Sequence, residues 1–416
     1  MSTESSRDMQ IFMEGFSLPL ERRSAYLARA CGDDKTLRSR VGRLFKAYDR
    51  TGDFLDEPPS KFAAERIAAV LNTEKPGDLI GNYKLLRQIG EGACGVVFLA
   101  QQEEPVRRKL ALKAVKPGVD MRSVIARFEA ERQVLALMDH PNIVNVFDAG
   151  ATPAGRPFLV MEFVRGVKIT EYCRLKSLAT SARLGLLITI CDAIQHAHRK
   201  GVIHRDIKPS NILVAEAANG KPLPKVIDFG VAKSMRQFPD EAFSNENGTL
   251  LGTPAYMSPE QAAGASTDLD SRADVYSLGV LLYELLTGTT PYDYKALSMA
   301  GIENIRRVIT TESPVTPSAQ LSAMPAEDLR SIAHLQLAEP VKLIRDVRGD
   351  LDWIVMKALE KDRARRYPTA NGLAMDLRHY LAGKSIAARP SICLYKFRKR
   401  PVAIKEPAAD KCIPNF

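Results

Sequence analysis

Residues 90–97 have the sequence Gly-Glu-Gly-Ala-Cys-Gly-Val-Val, a glycine-rich pattern that could hold phosphate groups. Glycine has no Cβ atom, so such a backbone can turn tightly and bring its N–H groups onto phosphate oxygens. A dinucleotide-binding turn has a similar pattern, but it should lead into a helix and be followed by an acidic residue about 20 positions later. Here a predicted strand continues over Val96–Leu99 and Lys113 follows, which favours a loop that covers nucleotide phosphates.

Lys113 lies on a predicted strand opposite this loop, where its ammonium group could neutralise the phosphates. The alternative is an ordinary surface lysine. A lysine among apolar neighbours needs a counter-charge, and the amphipathic helix predicted over Arg122–Met138 offers Glu131 and Glu129. Two positions apart on a helix, these carboxylates point in different directions. Glu131 is favoured because it shares the apolar stripe that should face inward.

The strongest chemical signal is residues 204–211, His-Arg-Asp-Ile-Lys-Pro-Ser-Asn, which place a carboxylate, an ammonium and an amide close together. Asp228-Phe229-Gly230 and then Ser258-Pro259-Glu260 follow along the chain. In this order the patterns resemble the H-R-D-x-K-x-x-N, D-F-G and A-P-E motifs of eukaryotic-like (Hanks-type) bacterial serine/threonine protein kinases. Residues 350–362 and the N-terminal piece resemble planctomycete kinases in particular. The resemblance covers about residues 83–383.

The resemblance implies roles for the polar residues. Asp206 would orient the substrate hydroxyl and accept its proton, and Lys208 would steady the γ-phosphate. Asn211 and Asp228 would hold Mg²⁺, which takes oxygen ligands and keeps several waters. Such groups suffice because a loose phosphoryl transition state needs alignment and charge neutralisation more than covalent chemistry. The implied catalytic residues are Asp206, Lys208, Lys113 and Glu131.

The resemblance also implies an ATP site. The strand over 158–164 fits a hinge with Met161 as gatekeeper, where the backbones of Glu162 and Val164 would meet the adenine edge. The implied ATP-binding residues are Ile89, Gly90, Glu91, Gly92, Ala93, Cys94, Gly95, Val97, Ala111, Lys113, Met161, Glu162, Val164 and Leu213. The apolar residues among these could also pack in the hydrophobic core, and core packing is compatible with a contact to ATP.

Further residues would support the site or set its class. Lys208 together with Thr253 is the serine/threonine pattern within the family. Glu260 should form a buried ion pair with Arg366, and Asp274 should anchor the catalytic loop from a core helix. Both are expected to stabilise the scaffold and to take no part in the chemistry.

In this family the arginine before the catalytic aspartate, here Arg205, often pairs with a phosphate on the activation segment. We hypothesise that Thr249 or Ser244 is autophosphorylated and activates the enzyme. The expected partners are ATP, a protein substrate and, for autophosphorylation, a second copy of the chain.

The fold class expected is α+β, a bilobal protein-kinase fold with a small β-rich N-lobe over 83–163 and a larger helical C-lobe over 164–383. A helical extension over 1–75 should precede it, and a basic tail over 384–416 should follow it. Weak patterning over 310–345 predicts an irregular insertion in the helical lobe. The predicted strands are Tyr83–Ile89, Gly95–Gln101, Leu110–Val115, Ile143–Ala149 and Phe158–Phe163.

Composition, net charge and cysteine spacing narrow the classes of protein to which the chain could belong. The chain has 416 residues, of which 45% are hydrophobic, and a net charge of +10, which suits a nucleotide-handling enzyme as well as a nucleic-acid binder. No C-x-x-C pair occurs among the six Cys, so neither a disulfide framework nor a zinc site is expected. We expect the chain to lie in a reduced cytoplasmic compartment. The N-terminus lacks a signal-peptide core. The longest apolar run, Leu278–Leu286, is too short to span a bilayer.

An active kinase has two alternatives. A pseudokinase scaffold would usually lack Lys113, Asp206 or Asp228, and all three are present. A nucleic-acid binder would need a recognition motif or a basic, aromatic-laced face within 83–383, and neither is found. The basic stretch Tyr395–Arg400 either touches anionic lipid or is a solvated tail.

Overall fold

A computed structural model of the chain describes residues 74–92, 95–115, 138–152, 155–217, 219–229, 254–264, 269–293 and 301–389, together with positions 11, 26–27, 29–32, 34, 37–38 and 41. The chain divides into two compact units. The first comprises residues 1–137 and 145–163, and the second comprises residues 138–144 and 164–416.

The first unit contains an antiparallel six-stranded sheet in the order β1-β2-β3-β4-β6-β5. Its strands are β1 Leu79–Ile80, β2 Tyr83–Gly92, β3 Gly95–Gln102, β4 Arg108–Val115, β5 Val146–Ala151 and β6 Pro157–Glu162. Alternate residues of β4, Leu110, Leu112 and Ala114, are buried on one face of the sheet. They pack with Leu85, Phe98 and Val160 in one apolar core, as expected for a sheet with one face turned to a core.

The second unit begins with a three-stranded sheet and is otherwise helical. Its strands are β7 Gly166–Lys168, β8 Ile212–Glu216 and β9 Pro222–Val226. Its helices are α1 Ile169–Leu175, α2 Thr180–Arg199, α3 Pro259–Ala262, α4 Arg272–Thr287, α5 Ile302–Thr311, α6 Pro317–Ala323, α7 Ala326–Leu335, α8 Pro340–Val347, α9 Asp350–Ala358 and α10 Ala370–Leu381. These two units agree with the α+β kinase fold expected from the sequence.

Helix α4 is the central element of the second unit. Nearly all of its residues are buried, which fits a helix that is apolar all round. Gly279 permits close packing on α9, because a Cβ atom there would lie 2.7 Å from the Cβ of Ala358. The helix ends at Gly288, whose φ of 76° is the left-handed conformation typical of a C-terminal cap.

The expectation of an irregular insertion over 310–345 was wrong. The segment contains α6, α7 and α8 as well as the end of α5. Pro317 and Pro340 each occupy the first turn of a helix, where proline's missing N–H would be unpaired in any case. Ser318 donates its backbone N–H and its hydroxyl to Asp352 at 2.9 and 2.6 Å. Such contacts with the rest of the unit stabilise helices that are too short to be stable alone.

The other sequence expectations have smaller corrections. The strand expected at Ile143–Ala149 is β5, which begins later, and Ile143 itself forms an isolated bridge to Val226. Of the helix expected over Arg122–Met138, only Met138 is described, and it is not helical.

At the two ends of the chain, little of the predicted extension or tail is described. The described positions before residue 42 are mostly helical, and the extension over 1–75 stays a prediction. The described start of the tail contacts α10, since Asp376 accepts the N–H groups of Ala387 and Ala388. No helix in the described part of the chain is long and apolar enough to cross a membrane.

Candidate active site

The loop between α2 and β8 carries residues 204–211, and a buried histidine fixes its start. The ring Nε2 of His204 donates to the carbonyl of Ile227 at 3.0 Å, and its Nδ1 accepts the N–H of Asp206 at 3.2 Å. This pattern requires the neutral Nε2–H tautomer. Complete burial lowers the pKa of His204, so the ring keeps this arrangement at neutral pH.

Asp274, in the first turn of α4, anchors the same loop, as the sequence predicted. Its carboxylate accepts the backbone N–H groups of His204 and Arg205, both at 2.8 Å, and the ring Nε2 of His198 at 2.7 Å. Burial alone would raise the pKa of Asp274, but the hydrogen bond and charge of His198 hold it below its usual range. The carboxylate therefore stays ionised and holds the loop backbone through these hydrogen bonds.

Within the loop, three of the predicted site residues meet. The Nζ of Lys208 lies 2.8 Å from the Oδ2 of Asp206. The side-chain Nδ2 of Asn211 donates to the backbone carbonyl of Asp206 at 2.7 Å and to its Oδ2 at 3.0 Å. One carboxylate oxygen is thus held by an ammonium and an amide. The Asp206 side chain is 23% exposed, so a reactant can reach it.

Asp228 follows β9, next to this loop. Val226 pairs with Ile212 across β8 and β9, and the N–H of Ile227 donates to the carbonyl of Asn211 at 2.9 Å. Asp228 has a φ of 58° and Arg205 a φ of 63°. A left-handed conformation is strained for such residues and persists only where surrounding contacts impose it. Such strain often marks a functional site.

In the first unit, β2 and β3 form the hairpin that carries the glycine pattern. Gly92 pairs with Gly95 at its tip, and Val97 pairs with Lys113 on β4. A Cβ atom on Gly95 would lie 2.3 Å from the carbonyl oxygen of Ala114, so only glycine fits there. At Gly92 a Cβ atom would enter open space, leaving room for a ligand beside the backbone.

Other predicted nucleotide residues lie on the neighbouring strands. Ala111 pairs with Met161 across β4 and β6, and both are buried. The N–H of Glu162 donates to the carbonyl of Asn145 at 2.9 Å. Ile89, Gly90 and Glu91 lie on β2. In the second unit, Leu213 pairs with Lys168 across β7 and β8, and Val164 precedes β7.

Several predicted residues lie outside the part of the chain that the structure describes. They are Ala93, Cys94, Glu129, Glu131, Gly230, Ser244, Thr249 and Thr253. The proposed pairing of Lys113 with Glu131 therefore stays a prediction.

The ion pair predicted between Glu260 and Arg366 is confirmed. Two parallel hydrogen bonds of 2.7 Å join the guanidinium to the carboxylate, the bidentate geometry that arginine favours. The Arg366 side chain is fully buried. This contact fixes α3 to the helical unit.

Sequence reasoning missed one residue next to this contact. The side chain of Gln261 bonds to the backbone of Ser258 and also reaches the backbone of the catalytic loop at Arg205. The spacing Ser-x-x-Gln is the signature of a capping box, so the first contact could have been found from the sequence. The second joins residues 56 positions apart and has no local signal.

Comparison with known proteins supports the same family. The Protein kinase domain family matches residues 83–376. Serine/threonine-protein kinase Pkn1 of Myxococcus xanthus is 34% identical over 69% of this chain and 42% of its own length. Serine/threonine-protein kinase PknB of Mycobacterium tuberculosis is 34% identical over 73% of this chain and 43% of its own length. The matched region thus spans less than half of each of these two relatives.

The fold has a counterpart among solved structures. The PknI kinase domain of Mycobacterium tuberculosis superposes with a TM-score of 0.53, covering 74% of this chain and 100% of that domain at 23% identity. At this identity the likeness concerns the fold alone. With the family match over most of the chain and the motifs in their expected elements, the chain belongs to the protein kinase domain family.

Proposed function

We propose that the chain is a serine/threonine protein kinase that transfers the γ-phosphoryl group of Mg·ATP to hydroxyl groups of proteins. The observation that carries this proposal is the arrangement around Asp206. Its carboxylate is partly exposed and contacts Lys208 and Asn211, and its loop is anchored by a buried aspartate. A general base must be reachable by the substrate and held in one orientation.

In the proposed mechanism Asp206 orients the substrate hydroxyl and accepts its proton as the bond from the hydroxyl oxygen to the γ-phosphorus forms, while the bond from the γ-phosphorus to the bridging oxygen breaks and ADP leaves. Lys208 contacts the γ-phosphate and offsets the charge that develops there. Lys113, with Glu131 as its partner, binds the other phosphates. Because these groups align the reactants and neutralise charge, no covalent enzyme intermediate is needed.

The residues proposed to hold Mg²⁺ fit that ion. Asn211 uses its Nδ2 for both contacts with Asp206. Among the described residues, its Oδ1 accepts only a long contact of 3.5 Å from the Ser210 hydroxyl, and an amide oxygen suits a hard cation. Asp228 supplies a carboxylate close by along the paired backbone. Few protein ligands and oxygen donors are what Mg²⁺ usually takes. Held by Asn211 and Asp228, the ion would supply positive charge that offsets the charge of the phosphates.

ATP is proposed to contact the glycine hairpin, the hinge strand and a few apolar side chains. Gly90, Gly92 and Gly95 would bring backbone N–H groups to the phosphates. Glu162 and Val164 would meet the adenine edge. The remaining proposed contacts are Ile89, Glu91, Ala93, Cys94, Val97, Ala111, Lys113, Met161 and Leu213.

The test is ³²P transfer from ATP to myelin basic protein or to the chain itself. Asp206→Asn keeps the shape of the side chain but removes its basicity, so we expect a loss of about 100- to 10,000-fold in rate. Equal inertness of the wild type and the variant would refute the proposal and favour the alternative function, a pseudokinase scaffold.

Finer proposals concern relatives, regulation and location. A particular similarity to planctomycete kinases is proposed from residues 350–362 and the N-terminal piece. Self-association with autophosphorylation at Thr249 or Ser244 is proposed from Arg205, and phosphopeptide mapping that finds neither site modified would count against it.

A cytoplasmic location with membrane contact through Tyr395–Arg400 is proposed from the positive charge of that stretch. Failure to float with anionic liposomes at low salt would remove the membrane contact.

A further inference from the structure

Gln261, in the short helix α3, uses both ends of its side-chain amide. Its Oε1 accepts the backbone N–H of Ser258 at 3.1 Å, and the hydroxyl of Ser258 accepts the N–H of Gln261 at 3.4 Å. Its Nε2 donates to the backbone carbonyl of Arg205 at 2.9 Å. The oxygen therefore closes a helix cap, while the nitrogen reaches the catalytic loop.

The peptide units on both sides of Arg205 are fixed by these contacts. The Arg205 N–H donates to Asp274 at 2.8 Å, and its carbonyl accepts from Gln261. Between them the residue holds a φ of 63°, a conformation that needs such external contacts to persist. Gln261 supplies one of them.

The same carbonyl belongs to the peptide unit that leads into Asp206. A peptide unit is planar and rigid, so fixing its oxygen also fixes its N–H, which donates to the Nδ1 of His204 at 3.2 Å. The direction in which the Asp206 side chain leaves the backbone depends on this plane. Gln261 therefore acts on the proposed base through one peptide unit, without touching its carboxylate.

Helix α3 is itself held firmly, because Glu260, the neighbour of Gln261, forms the bidentate pair with the buried Arg366. The amide of Gln261 thus connects a fixed part of the helical unit to the strained turn before Asp206. We propose that Gln261 is a positioning residue for phosphoryl transfer, holding the Arg205–Asp206 peptide so that the Asp206 carboxylate meets the substrate hydroxyl. This inference rests on the proposed kinase function.

The competing explanation is that Gln261 merely caps α3, and two substitutions separate these roles. Gln261→Glu keeps an oxygen that can accept the Ser258 N–H, but it puts an acceptor in place of the Nε2 donor against the Arg205 carbonyl. Ser258→Ala removes the capping hydroxyl and leaves the Gln261 amide intact. Gln261→Met removes both side-chain contacts at similar length.

In steady-state kinetics, the variants that lose the contact with Arg205 should have a lower kcat than the variant that keeps it. A misplacement of reacting groups by about 1 Å costs about 100-fold in rate, so we expect Gln261→Glu and Gln261→Met to lower kcat by 10- to 100-fold. The KM for ATP should change by less than about threefold, because only positioning of the base is lost. Ser258→Ala should lower the melting temperature but keep most of kcat.

The pH profile gives a readout that a purely structural role would not move. A protonated glutamic acid can donate a hydrogen bond, so Gln261→Glu should regain activity relative to the wild type as pH falls toward the carboxyl's usual pKa of about 4.3. Gln261→Met has no proton to offer and should show no recovery. A Gln261→Glu variant with wild-type kcat, or equal recovery in both variants, would overturn the inference.

Hydrogen exchange measures the same positioning without any phosphoryl transfer. Losing the Nε2 contact should speed exchange of the Arg205 and Asp206 amides in Gln261→Glu but not in Ser258→Ala. An inert wild type would remove the proposed function, and the exchange comparison would still decide the inference. Unchanged exchange of these two amides would refute it.

Discussion

Arg366 uses every N–H donor of its guanidinium group. Its Nε donates to the carbonyl of Glu360 at 2.7 Å. Its two terminal nitrogens donate to both carboxylate oxygens of Glu260 and to the carbonyls of Arg272 and Lys361, at 2.7 to 3.1 Å. These are the five donors that a guanidinium possesses. Since the side chain is fully buried, none of them can turn to water when a partner is lost.

Arg366→Met removes the cation and leaves the Glu260 carboxylate, only 13% exposed, without its counter-charge. Breaking a buried pair from one side costs about 3–5 kcal/mol. For a kinase region of roughly 300 residues, an unfolding entropy of about 2.1 cal/mol/K per residue gives about 0.6 kcal/mol/K. The expected fall in melting temperature is therefore about 5–8 °C.

The assay is urea unfolding monitored by the fluorescence of Trp353, the single tryptophan of the chain. The melting temperature is measured in parallel. Arg307→Met is the matched control, because Arg307 contacts Glu312 at a similar 2.8 Å but the two side chains are 57% and 48% exposed. That exposed pair should contribute at most about 1 kcal/mol. If Arg366→Met lost no more than this control, the reasoning from burial would be refuted. Removing both charges, in Glu260→Met with Arg366→Met, should cost less than the two single changes added together.

Two further changes test other buried groups. Arg183 is buried and donates to the carbonyls of Leu178, Leu285 and Leu335 at 2.8 to 2.9 Å. Arg183→Met should therefore lower the free energy of unfolding by about 2–3 kcal/mol and speed proteolysis near α7. Unchanged stability would contradict this prediction. Burial and the neighbouring His196 lower the pKa of His140, while Asp192 and Asp139 oppose that shift and Lys225 adds to it. Because the folded pKa lies below the unfolded value of about 6.5, the unfolded chain binds more protons and stability should fall as pH drops below about 6.5. His140→Gln should reduce that slope in urea unfolding at pH 7.5, 6.5 and 5.5, and an identical slope would count against it.

The contacts among Asp206, Lys208 and Asn211 could be predicted from the sequence because these residues are close in the chain. Asp206, Lys208 and Asn211 lie within six positions, so any compact turn brings them near one another. The pairing of Glu260 with Arg366 spans 106 positions and was predicted from the resemblance to a family, since spacing alone could not supply it. Gln261 was missed for the same reason: its contact with Arg205 depends on how two distant backbones meet.

The helices over 310–345 show where reasoning from local pattern fails and how it could be improved. Pro317 follows Thr316, whose hydroxyl accepts the N–H of Ala319 and caps α6, and Pro340 begins α8 after Glu339. The weak patterning of this segment predicted irregular chain, although a proline directly after a cap residue is a start signal for a helix. Helices of seven or eight residues are too short to be stable alone. Buried polar contacts such as Ser318 with Asp352 hold them, and those contacts exist only once the rest of the unit has folded. A short segment with proline at a helix start should therefore be judged by its start signal and by which buried groups it can satisfy.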